Sequence, residues 1–306
     1  MISITHSLRR AGCWLALTTL TTLTALTGQA RAEPALTPLV LGFYLPGIRD
    51  ANPTDVRASL QLWVEEIAKP YRLQGEARMY EDMRTLYRDA MQKRVNLVIA
   101  PAMEIAEVFR PDELTQGFSA RRRGSDEGLA VIVQKSSGLR QFLDLRGKHV
   151  LKLSNDRLGQ VFLETQCQRE ADSSCSTLFN LTEEQRDLQS IHKVFFGQAD
   201  AALVSLATLH AAGELNPQIS ARLRVILDWK VQALAFGMMT VRSDPTYRDI
   251  LLRSAMQAAQ SVRGVQILEL FKTDYMVRAG ISDMQPFWNL YHEYQSTNRK
   301  KMALRE

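Results

Sequence analysis

Ser154-Asn155-Asp156-Arg157 is the stretch of this sequence best equipped to receive an anion. It follows an apolar strand pattern over residues 148–153 and opens a helical pattern over about residues 155–170. A serine, Asn155 beside it, the free N–H groups of a helix start and the helix dipole all suit negative charge. Arg157 would attract an anion, whereas Asp156 would repel one if it faced it. Asp156 also has the type and place of an N-cap, and that reading is preferred. Three further strand patterns end at Tyr44, Tyr80 and Pro101, and ligands of open α/β sheets bind beyond such carboxyl ends. A tyrosine there offers an aromatic edge with a hydroxyl; it can equally be ordinary rim packing. Ser205 ends a fourth strand pattern, where its plain alternative is to cap a helix running toward His210. Trp229 ends a fifth and reads as core.

Other chemistries are poorly supplied. The sequence holds no Gly-x-Ser-x-Gly elbow, phosphate-binding Walker loop or His-Glu-x-x-His helix. His149, His192, His210 and His292 lack metal-ligand spacing, so neither a metal nor another cofactor is expected, and the chain is not read as an enzyme. Arg121-Arg122-Arg123-Gly124-Ser125-Asp126-Glu127 is a basic run answered by acids, which suits a solvated loop that neutralises itself. Cys167 and Cys175 remain once the first segment is set aside, and an even pair in an oxidising compartment favours a disulfide.

That first segment carries Arg9 and Arg10, an apolar and threonine-rich run from Ala11 to Leu26, and Gly28-Gln29-Ala30-Arg31-Ala32. This is the order of a cleavable export signal over residues 1–32, cut after Ala32, which predicts a periplasmic product. As a membrane anchor the run is short, and Thr18, Thr19, Thr21, Thr22 and Thr24 interrupt it. The signal holds three of the 38 basic residues and none of the 33 acidic ones, so the formal net charge falls from +5 to +2. Near-balance with interspersed signs gives no case for nucleic acid. A hydrophobic content of 45% suffices for a proper core.

The elements that must position these residues alternate. Strand patterns at residues 38–44, 77–80 and 95–100 are separated by helical patterns starting at Asn52-Pro53 and Asp82. Strands are expected again at 129–133, 148–153, 199–205, 223–227 and 233–241, with helices at 155–170 and 183–194 and a helical tail from Pro245. Alternation of this kind is the grammar of mostly parallel α/β sheets flanked by helices.

Several segments then resemble, in order, the type II periplasmic solute-binding proteins. Asp144-Leu145-Arg146-Gly147-Lys148-His149-Val150 is similar to the motif that opens their second lobe. Gly197-Gln198-Ala199-Asp200-Ala201-Ala202-Leu203-Val204 is similar to a later one, and residues 267–291 to their closing helices. The branch it most resembles is the phosphate/phosphite/phosphonate-binding components of ABC importers. The resemblance implies a two-lobed α/β fold with two crossover strands. Residues 33–128 and 242–306 would form lobe 1, and 129–241 lobe 2. It implies a small, anionic, phosphate- or phosphonate-like ligand held in the cleft by Tyr44, Tyr80, Pro101, Ser154, Asn155, Arg157 and Ser205. A monomer would deliver that ligand to an ABC permease; the alternative is a sensor that presents its closed form to a membrane receptor. Relatives that bind phosphonate offer several Ser or Thr hydroxyls where this chain has only Ser154.

Overall fold

The computed structural model of the chain describes residues 38–47, 52–124, 126–270 and 273–303; the expected export signal lies outside them. Its first half runs β1 (Leu39–Tyr44), α1 (Pro53–Ala68), β2 (Gly75–Tyr80), α2 (Met83–Met91), β3 (Leu97–Pro101), α3 (Ala102–Val108) and β4 (Leu114–Arg121). The chain then crosses into β5 (Glu127–Gln134), β6 (His149–Leu153), α4 (Arg157–Ala171), α5 (Cys175–Leu178), β7 (Asn180–Glu184) and α6 (Asp187–Phe195). Next come β8 (Ala201–Ser205), α7 (Leu206–Leu215), α8 (Pro217–Arg222) and β9 (Leu223–Val231). It returns through β10 (Ala235–Thr240) to α9 (Pro245–Ala258), α10 (Val262–Leu270), β11 (Tyr275–Ala279) and α11 (Ile281–Ala303). No helix among the described residues is long and apolar enough to cross a membrane.

Local chemistry explains the starts. Asn52 accepts a hydrogen bond from the Thr54 N–H at 2.9 Å and Pro53 takes the first turn, so α1 begins there. Behind that cap Val56, Leu60, Trp63, Val64 and Ile67 form one buried stripe. Asp82 caps α2 by accepting from the Thr85 N–H at 2.8 Å. The Cys167–Cys175 bridge forms as expected, with Cα atoms 5.4 Å apart, and fastens the end of α4 to the start of α5.

The strands make two sheets. One has six strands in the order β2-β1-β3-β10-β4-β11; the other has five, β7-β6-β8-β5-β9. β1, β2 and β3 run parallel, as do β6, β7 and β8, while the strands that cross between sheets pair antiparallel. The chain returns to the first sheet with β10, which pairs antiparallel with β3 and β4. β4, β7 and β11 are strands where the sequence reading has none; β7 occupies the start of its expected helix at 183–194. Long α11 packs on both α3 and α4, and its Trp288 indole N–H donates to the Phe109 carbonyl at 2.9 Å. Trp229 packs edge-on against Phe287 at 5.2 Å, which makes it structural, as its position suggested.

Candidate ligand-binding cleft

The carboxyl ends of the parallel strands gather the expected site residues at two edges. On the first sheet β1 ends at Tyr44, β2 at Tyr80 and β3 at Pro101. On the second, β6 and β8 pair as Val150 with Ala201 and Leu151 with Ala202, a register that carries Ser154 alongside Ser205. The crossover segments are tied to each other, since the Arg121 guanidinium donates to the Gln232 amide oxygen at 2.8 Å.

The basic run of residues 121–123 is more firmly held than a solvated loop. Arg121 ends β4 and lies 3.7 Å from Asp283, and the Arg123 N–H donates to Asp274 at 2.7 Å.

Each expected contact has a definite surrounding. Tyr44 is half-buried; burial, and then the carboxylates of Glu104, Asp82 and Glu107, push its hydroxyl pKa up. Pro101 stands at the start of α3. The Ser154 N–H donates to the Glu184 carbonyl at 2.8 Å, and exposed Asn155 turns the chain with a left-handed φ of 53°. Asp156 stands at the N-cap position of α4, but its side chain makes no capping hydrogen bond to the first turn. Gly159 makes room for it: a Cβ there would lie 2.2 Å from the Asp156 carboxylate. The first turn of α4 therefore already carries one carboxylate of the chain itself.

Two expected contacts are committed elsewhere. Tyr80, 6% exposed, turns into the core and donates to Asp89 at 2.7 Å; burial and that bond push its hydroxyl up to about 12. Arg157 pairs with Glu107 of α3, donates to Gln160 at 3.1 Å and lies over the Tyr294 ring at 5.3 Å. It joins the two sheets' helices instead of standing open to an anion. Ser205 is the N-cap of α7, accepting from the Thr208 N–H at 3.2 Å while its hydroxyl donates to Thr208 Oγ1 at 2.7 Å. Both its plain reading and its place at a strand mouth hold.

With this geometry in view, residues 48–283 match the family of periplasmic substrate-binding proteins of phosphonate ABC transporters. The chain belongs to that family. Among solved structures, this binding protein is similar to a Xanthomonas citri protein bound to ATP: TM-score 0.63, 18% identity, 86% of this chain and 98% of that one covered. A binding-protein component of a Pseudomonas aeruginosa ABC phosphonate transporter gives 0.57 at 11% identity, covering 86% and 88%. PhnD1 of Prochlorococcus marinus, in complex with methylphosphonate, gives 0.55 at 15%, covering 86% and 98%. At these identities the likeness is one of fold. No curated protein matches the chain.

Family membership implies a periplasmic location and a substrate-binding role beside an ABC permease. Sequence reasoning missed two features of this binding protein's cleft. The first is the acidic edge formed around Tyr44 by Asp82, Glu104 and Glu107; α2 and α3 bring these residues together from separate segments. The second is Glu127, whose carboxyl is raised by burial above the usual carboxylate range despite the opposing charge of Arg122. Arg122 and Glu127 line one cavity with Ser205 and Thr208. The acids around Tyr44 are separated in sequence and belong to no motif, so only the alternation of strands and helices could have hinted at their convergence.

Proposed function

We propose that the protein captures a small organic oxyanion, phosphonate-like at its head, between the two sheets and hands it to an ABC importer. The observation that carries this reading is the family match over residues 48–283, joined to a strand, β6, that runs directly into the N-terminus of the 15-residue helix α4. In this reading Ser154, the N–H groups after Asn155 and Ser205 receive the head, and Tyr44 and Pro101 meet it from the opposite sheet. Tyr80 and Arg157 serve as supports. The carboxylate of Asp156 beside the first turn of α4 weakens the hold on any bare oxyanion there. A phosphonate carries nearly the charge of phosphate, so its organic substituent supplies the preference. The mechanism is hinge closure: a ligand that touches both edges stabilises the closed form by its greater affinity for that state. Export with cleavage after Ala32 would release the protein to the periplasm as a monomer.

Calorimetric titration with methylphosphonate, phosphate and methanesulfonate tests this. The expected order is methylphosphonate ahead of phosphate, with five- to tenfold weaker binding in Ser154→Ala and Ser205→Ala. Equal binding by both variants and the parent would remove the head from this turn.

A further inference from the structure

A cavity of about 340 Å³ is lined chiefly by the six-stranded sheet and its helices, and Ser205 is the cleft residue that it shares. Its walls are Phe43, Trp63, Phe118, Phe236, Ile267 and Met276, and its rim carries Arg122, Glu127, Ser205 and Thr208. Ser205 and Thr208 belong to the second lobe, so an occupant touches both sheets. The aromatic walls are braced by one another: the Trp63 ring packs edge-on to Phe43 at 6.4 Å and to Phe118 at 6.1 Å. Trp63 is 4% exposed, and its indole N–H meets no acceptor among the described residues. Neither phosphate nor methylphosphonate has the apolar surface to use such walls.

We propose that this cavity takes the apolar body of the ligand, an aryl or branched-alkyl group whose polar head stays at the rim. A water molecule's share of liquid volume is about 30 Å³, so the space suits roughly ten non-hydrogen atoms. The proposal deepens the binding-protein reading and rests on it: it names the organic substituent that the head would carry. The rim offers one cation, one carboxylate and two hydroxyls, so an oxyanion head and an ammonium head are the two chemistries to compare.

The test pairs each head with two bodies: methylphosphonate against benzylphosphonate, and methylamine against benzylamine, titrated calorimetrically into the purified protein. Fluorobenzene, followed by its ¹⁹F resonance, probes the cavity without any head. The expected result is at least tenfold tighter binding of one benzyl compound than of its methyl partner, and fluorobenzene broadening. Ala235→Phe fills the cavity from β10 and Ala207→Phe from α7. Each should cut the benzyl advantage below threefold, with the circular dichroism of the free protein unchanged. Two variants from different lobes guard against one failing to fold. Methylphosphonate binding with no benzyl gain and no fluorobenzene signal would overturn the cavity and leave the oxyanion reading standing. Fluorobenzene binding and a benzylamine gain, with no phosphonate bound, would keep the cavity and remove the oxyanion head.

Discussion

Arg157 shows how one side chain can be read two ways until its partners are known. As a guanidinium two residues past Asn155 it looks like an anion ligand. In the structure it lies between Glu107 and the Tyr294 ring, with side-chain exposures of 29% and 22% for the ion pair. Removing it leaves a half-buried carboxylate unpaired, so Arg157→Ala should lower stability by about 1–2 kcal/mol in urea unfolding. Ligand affinity should change less than threefold; a tenfold loss of affinity without loss of stability would restore it to the binding site. Tyr80 gives a second test at this scale. Its hydroxyl is raised to about 12 from an ordinary 10.0, so the neutral form is favoured in the folded state. That stabilisation is complete below pH 10 and is lost as pH climbs toward 12. Ultraviolet titration should show late phenol ionisation whose amplitude near pH 12 falls by one tyrosine in Tyr80→Phe; a titration unchanged by that substitution would assign the late step elsewhere.

At the scale of elements, the alternating first half was legible because each start has a local cause. Asn52 and Asp82 cap where their types say they should, and the buried stripe of α1 follows the helical period. The missed strands have no such cause. β7 is an exposed edge strand reading Asn-Leu-Thr-Glu-Glu, whose acids look helical and whose pairing with β6 comes from far along the chain. β4 contains Gly117, which weakens any strand pattern, yet the sheet requires it. A Cβ there would stand 1.8 Å from the Gly237 carbonyl oxygen of β10. Gly117→Val should therefore cost several kcal/mol and give little soluble protein; a variant that melts with the parent would mean that the two strands can part freely. For the candidate site, position was legible but partnership was not. Strand ends located Tyr44, Pro101, Ser154 and Ser205, but the commitment of Tyr80 to Asp89 and of Arg157 to Glu107 depends on tertiary neighbours.

The whole molecule joins two mixed sheets through paired crossovers, with α11 packed against helices α3 and α4. This arrangement suits a cleft that closes on a solute: the opposing strand ends carry hydroxyls, an acidic edge and the rim of an apolar cavity. The Cys167–Cys175 bridge ties α4 to α5, which pack beside β6 and β7 of the five-stranded sheet. Ligand binding confined to the folded state raises the melting temperature by mass action. At a hundredfold excess over Kd the gain is about 2.7 kcal/mol, or roughly 5 °C for a chain of this size. The most direct test of the account is a thermal-shift series on the purified protein with phosphonates of increasing organic substituent, alongside phosphate, sulfonates and amino acids. A saturable rise of about 5 °C or more is expected with an organophosphonate, larger for benzyl than for methyl, and little with free phosphate. A rise with free phosphate alone, or none with any phosphonate, would contradict it.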